Sequence, residues 1–87
     1  MKYMLSWKVI PENQQESIKR WKKAGPNPPE GIEVLSHYWN VNHLNGWAVF
    51  TATDHGKIAA WLKDWTDLNV NWVTPIIDDK ELHGIVG

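Results

Sequence analysis

Four histidines, at positions 37, 43, 55 and 83, and no cysteine bound the chemistry open to this chain. Imidazole titrates near neutrality and can act as general acid, general base or metal ligand. His37 and His43 are expected on either side of a strand end and a turn, so they lack a dependable metal spacing. No carboxylate lies near enough in sequence to complete a facial triad, and no metal site is expected. His43 is placed on an exposed turn and His83 in a terminal tail. His55 opens a helix, where a backbone anion site is conceivable but contact with solvent is the plainer outcome. His37 is the single catalytic candidate. It is expected mid-strand, with Leu35 and Trp39 two residues away on its own face. Its bland reading is a half-buried ring with one hydrogen bond; its functional reading is an acid/base or orienting donor in a cavity.

Seven tryptophans accompany the histidines, an unusual load of indole for 87 residues. Trp21, Trp61 and Trp65 fall on the apolar stripes of expected helices and read as core. Trp7, Trp39, Trp47 and Trp72 fall on expected strands. Large rings each bury about 150–250 Å², so they either fill a core or wall a cavity. The candidate ligand-binding set is His37, Trp39, Trp47, Thr51, Trp7 and Trp72, suited to a small flat apolar or aromatic ligand. No glycine-rich phosphate loop, nucleophile elbow or paired-carboxylate motif is present. Asp78-Asp79 reads as a helix start. No cofactor is expected; a haem would need an axial ligand, for which only His37 is plausible, and basic partners for its propionates.

The elements that must position these residues follow from pattern. One domain spanning residues 1–87 is expected, near the lower size limit for independent folding, where oligomerisation is a common remedy. A formal charge of −1 offers no general attraction to phosphate, so no nucleic-acid partner is expected. The one basic run, Lys19, Arg20, Lys22 and Lys23, reads as a solvated helix face. No run approaches the ~20 apolar residues of a membrane span, and the N-terminus lacks a signal-peptide pattern, so a cytoplasmic location is the default.

Met1, Tyr3, Leu5, Trp7 and Val9 alternate with Lys2, Ser6 and Lys8, which predicts a strand with one apolar face. Asn13 and Glu16 suggest a capping box, followed by a helix to Lys23 or Ala24 with Ile18 and Trp21 inward and Gly25 as its stop. "GPNPPEG" is a stiff loop. "IEVLSHYWN" and "WAVFTAT" read as a hairpin, with Asn45-Gly46 as the turn signal. The second of these strands is apolar on both parities and so belongs mid-sheet. Asp54 caps a helix bearing Ile58, Trp61, Leu62 and Trp65 at i, i+3, i+4 and i+7. "VNWVTPII" is a last strand, with Pro75 placed at an edge or bulge, and Asp78 caps one or two helical turns in the tail. The order β-α-β-β-α-β predicts an α+β, ferredoxin-like fold: a four-stranded antiparallel sheet with two helices on one face.

The helix-free face carries the further expectation. With Asn40 opposite Gly46, Trp39 meets Trp47, His37 meets Val49 and Leu35 meets Thr51. The other parity pairs Tyr38 with Ala48, Ser36 with Phe50 and Val34 with Ala52. A one-residue slip exchanges the two lists, but neither suits solvent. A homodimer closing over the helix-free sheet face is therefore expected.

"MKYMLSWK", "PPEGIEVLSHYW", "GWAVFTATD" and "AAWLKDWTDLNVNWVTPIIDD" cover nearly the whole chain. In them the chain resembles the dimeric α+β barrel superfamily and, more narrowly, a small family of short bacterial and phage proteins of unknown function. The resemblance implies a ferredoxin-like fold and a dimer, but not one activity. Relatives in the superfamily include cofactor-free quinone monooxygenases, haem-degrading monooxygenases, lactone isomerases and ligand-sensing domains. Two functions compete. One is a non-catalytic small dimer that binds a small apolar ligand or a partner protein. The other is a cofactor-independent monooxygenase or isomerase acting on a quinone- or polyphenol-like substrate through His37. An RNA-binding module is a weak third, since the strands lack the glycine–aromatic signature. An open or plugged cavity beside His37 separates the first two.

Overall fold

The computed structural model describes residues 1–87. Its elements are β1 (Lys2–Val9), a 3-10 turn (Pro11–Asn13), α1 (Gln14–Ala24), β2 (Ile32–Trp39), β3 (Asn45–Ala52), α2 (His55–Lys63), β4 (Asn69–Ile76) and α3 (Asp79–Val86). The strands form one antiparallel sheet in the order β2-β3-β1-β4. This is the ferredoxin-like arrangement expected from the element order, with β1 and β3 central and the proline-bearing β4 at an edge, where a missing N–H costs least.

The odd residues of β1 lie under the helices. Tyr3, Leu5, Trp7 and Val9 are buried, and with Ala48, Phe50, Ile32, Ile58 and Trp61 they make the core. Tyr3 stacks on Phe50 at 5.4 Å, and Phe50 meets Trp61 edge-on at 5.2 Å, the offset and T-shaped contacts that aromatic quadrupoles favour. The Trp61 indole N–H donates to the Pro26 carbonyl at 2.7 Å, which ties the proline-rich loop to α2. His55, at the start of α2, shares a 3.1 Å hydrogen bond with the Tyr3 hydroxyl.

Helix caps divide between expectation and correction. The Asp54 carboxylate accepts from the Lys57 N–H and the Asp78 carboxylate from the Glu81 N–H, as the sequence pattern implies. Gly25, at φ 62°, ends α1 with its N–H on the Trp21 carbonyl. Asn13 does not form the expected capping box. Its side chain leaves the α1 N–H groups and donates instead to the Asp67 carbonyl at 3.4 Å. The inward face of α1 also differs: Ser17 is fully buried, Ile18 only half-buried, and Trp21 keeps 37% of its surface exposed.

The hairpin turn lies earlier than the Asn45-Gly46 signal suggested. Both residues belong to β3, and the reversal runs from Asn40 to Asn45, whose backbones bond at 2.7 Å. His43 takes the left-handed conformation at φ 62°, and the Asn42 side chain accepts from the Leu44 N–H in an asparagine-built turn. The pairing is thereby offset: Trp39 sits opposite Gly46, Tyr38 opposite Trp47, and His37 opposite Ala48. Between Val34 and Ser36 the register breaks, leaving Leu35 as a bulge residue. A bulge shifts parity by one. Ile32 and Val34 face the helices before it, and His37 and Trp39 face them after it.

Candidate functional site

A cleft lies between the sheet and the helices, and Gly46 shapes its floor. Gly46 is opposite Trp7 on one side and Trp39 on the other. A Cβ there would collide with the Trp7 ring, so glycine is what lets that indole lie across β3 toward β2. There Trp7 stacks on His37 at 5.1 Å with planes 25° apart, and Trp21 from α1 runs nearly parallel to His37, 6.2 Å away at 13°. Trp39 stands perpendicular to all three, at 80°, 82° and 70° to Trp7, Trp21 and His37. Three near-parallel rings thus meet one upright wall. Trp61, Leu62 and Trp65 close the α2 side, and Asn69 and Asn71 of β4 complete the rim.

The electrostatics of this cleft are those of a neutral site. Its lining contains no aspartate, glutamate, lysine or arginine. Burial holds the His37 imidazole below its usual pKa, because a half-dry ring loses hydration when it charges. Three buried polar atoms of the lining make no protein hydrogen bond: Trp7 Nε1, Asn69 Oδ1 and Asn71 Nδ2. Asn71 stands directly opposite Trp7 on the β1–β4 ladder, and Asn69 is the next residue on the same face, opposite Val9. Such orphaned groups each cost roughly 1–3 kcal/mol when left dry. The cavity itself measures about 30 Å³, room for about two waters. With Trp21 in place, the cavity beside His37 is largely filled by side chains.

The expected ligand set is split by the sheet. His37, Trp39 and Trp7 line the helix-side cleft. Trp47, Thr51 and Trp72 lie on the opposite, helix-free face, with Trp72 across from Ser6 and Trp47 across from Tyr38. That face also carries Met4, Val49 and Val70. Trp47 and Trp72 expose 42% and 53% of their surfaces in the single chain. The grouping of His37 with Trp47 and Thr51 on one face assumed Asn40 opposite Gly46, and the one-residue offset that pairs Trp39 with Gly46 overturns it.

Asn69 and Asn71 are cleft residues with no role in the sequence pattern, and Trp21, expected as core, lines the cleft as well. A signal was present in "NVNWVT". Its Val70 and Trp72 share the parity of the helix-free face, while the parity facing the helices holds two asparagines ahead of Val73. Inversion over the first four residues of the strand turns polar atoms into a core. Elsewhere, Arg20 of the basic run forms a bidentate pair with Asp67 at 2.8 and 2.9 Å and lies 5.6 Å from the Trp65 ring centre, so this cation is engaged at the helix surface.

No helix is long and apolar enough to cross a membrane. No curated protein and no solved structure matches the chain. The family model that does match spans residues 1–87, the same stretch that builds both the aromatic cleft and the helix-free sheet face, and the chain belongs to that family, described as a domain of unknown function, DUF3303.

Proposed function

We propose that this chain is a non-catalytic binding protein that works as a homodimer, with the helix-side cleft taking a small aromatic ligand. The observation that carries the binding role is the cleft: four rings around a neutral lining in which buried donors and an acceptor lack partners. The helix-free face supports the dimer. Four strands of eight residues present about 26 by 19 Å at standard strand spacings, or about 500 Å² per copy. Two copies then bury about 1,000 Å², the level at which specific interfaces begin. Leu82, Ile85 and Val86 of α3, a helix with no buried residue, add apolar surface that a second copy would cover. Pairing of the two sheets in this way is the dimeric α+β barrel.

The oxygenase or isomerase reading gains no support from the site. His37 is packed among indoles and no carboxylate lines the cleft beside it. Sedimentation velocity at micromolar concentration, run with a titration of planar aromatic fragments followed by indole N–H resonances, tests the proposal. A two-chain species and a shifted Trp7 resonance are expected. A monomer with no shifted indole refutes it.

A further inference from the structure

We infer that a second copy docks on the helix-free face about a two-fold axis running along the strands, so that each copy's Trp47 seats over the partner's Ser6. This rests on the homodimer proposed above and deepens it by naming the contacts. One row of residues carries the argument. Tyr38 pairs with Trp47, Trp47 with Ser6, and Ser6 with Trp72, so the four lie side by side across the sheet. All three rings are exposed, and Ser6, near the middle of β1, is the one small side chain among them. Trp47 and Trp72 stand two strand spacings apart, about 9.6 Å. A ring stacked between two others needs about 7–8 Å, twice the optimal carbon–carbon contact. The gap over Ser6 is thus one ring wide.

The strand order makes that gap self-complementary. A two-fold axis along the strands, midway between β3 and β1, reverses the order β2-β3-β1-β4 and keeps every residue at its own level. Each β3 then covers the other copy's β1, and each β2 the other copy's β4. Trp47 falls over the partner's Ser6 and Tyr38 over the partner's Trp72. In the next row Val49 falls over the partner's Met4 and Ser36 over the partner's Thr74. Large meets small and apolar meets apolar at the centre, with hydroxyls at the rim, as packed interfaces require. Aligned sheets cross at about 30°, which displaces facing residues least near the axis, where Trp47 and Ser6 lie.

Shape and charge disfavour the other axes. An axis along the row itself would press Trp47 against the partner's Trp47 and leave Ser6 facing the partner's Ser6, ring on ring and gap on gap. An axis across the strands between the Met4 and Ser6 levels would set Lys2 against the partner's Lys8 at both ends, and like charges facing across an interface are costly. Along the strands, Lys2 instead meets the partner's Thr51 and Lys8 the partner's Asn45. The sheet faces alone only reach the lower limit of a specific interface, about 1,000 Å², so the fit at their centre decides whether the pair holds.

Spin-label distances and sedimentation test this. The chain has no cysteine, and Val41, 93% exposed in the β2–β3 turn, can carry a label as Val41→Cys without touching the face. With the axis along the strands, the two labels share one end of the dimer, about 14 Å apart at the backbone from two strand spacings and one sheet spacing. With an axis across the strands they lie at opposite ends, more than about 30 Å apart. Electron–electron double resonance should give a distance below about 30 Å; a longer one overturns the axis. Ser6→Trp fills the socket and should weaken the dimer at least about a hundredfold, about tenfold at each of two equivalent sites. Trp47→Ser empties the socket and should also weaken it. An equimolar mixture of these two variants should pair within about tenfold of wild type, since each site of the heterodimer again sets one indole over one serine. Both residues project from the single chain, so thermal melting should show each variant folded. Ser6→Trp dimerising like wild type, or a mixture no better than its components, overturns the socket and leaves the homodimer standing. Wild type sedimenting as a single chain overturns the homodimer and the inference with it.

Discussion

Replacing Gly46 by alanine puts the geometry of the cleft floor under direct test. The residue's backbone is not in the left-handed region, so alanine incurs no conformational penalty and the effect is purely steric. The added Cβ would stand 2.6 Å from Trp7 Cη2 and nearer still to two other ring atoms. Relief requires the indole to move, yet it is buried, stacked on His37 and set edge-on to Trp39. Overpacking a tight core costs about 1–3 kcal/mol; with a rigid ring as the obstacle on a central strand, the upper value of about 3 kcal/mol is expected. At about 4–8 °C per kcal/mol for a domain of this size, Tm should fall by about 12–24 °C. A double-mutant cycle with Trp7→Leu isolates the clash. Chemical denaturation followed by far-ultraviolet circular dichroism should show Gly46→Ala costing at least about 1.5 kcal/mol less in the Trp7→Leu background. Additivity within about 0.5 kcal/mol, or a wild-type midpoint for Gly46→Ala, would mean that Trp7 does not lie over β3 and that the cleft is misdrawn.

Four further outcomes follow from the same contacts. Trp47→Glu combined with Trp72→Glu should convert the proposed dimer to a monomer by sedimentation, since both rings sit on the helix-free face; a two-chain species unchanged by the pair rejects that interface. Burial lowers the folded-state pKa of His37, so the unfolded chain takes the proton first. Stability should therefore be full above the usual histidine range and fall as pH drops through it toward the folded value; His37→Gln should flatten that acid limb in pH-dependent melts. The Arg20 hydrogen bond and charge hold the Asp67 carboxyl below its usual value. Its contribution is present above the ordinary carboxylate pKa and lost as pH falls through the depressed one, and because the pair is solvent-exposed, Asp67→Asn should cost under about 1 kcal/mol and less at high salt. Asp54→Ala should cost about 1 kcal/mol of global stability through its lost cap, whereas Asp78→Ala should fray α3 alone, leaving the global unfolding midpoint in place, as α3 buries nothing.

How much of this was legible in advance varies residue by residue. Alternation in Met1–Val9 identifies both the first strand and the face it buries, because a period of two admits one apolar side. The stripe Ile58, Trp61, Leu62 and Trp65 identifies α2, with Asp54 as its cap, because spacing and capping are local. Both regularities survive folding unchanged, and with the β-α-β-β-α-β order they suffice for the ferredoxin-like topology. In the hairpin, local signals misled. Asn45-Gly46 has the composition of a tight turn, but Gly46 serves as the seat of the Trp7 ring, a need set by a residue far away in the chain.

The candidate site shows the same division more sharply. The residue types were visible: a histidine among strand tryptophans in a chain without charge bias. Their assembly was not. Pairing Trp39 rather than Asn40 with Gly46 turns His37 and Trp39 from the helix-free face to the helix side, the Leu35 bulge brings Ile32 and Val34 to that side as well, and nothing in the pattern of β2 announces either. The asparagines of β4 become meaningful only when β1 lies beside them and places Asn71 against Trp7. Local periodicity determined the elements and their order, because backbone geometry alone dictates it. Which side chains share a cleft was decided by strand register and a single inserted residue, because those depend on contacts between segments that the linear chain holds apart.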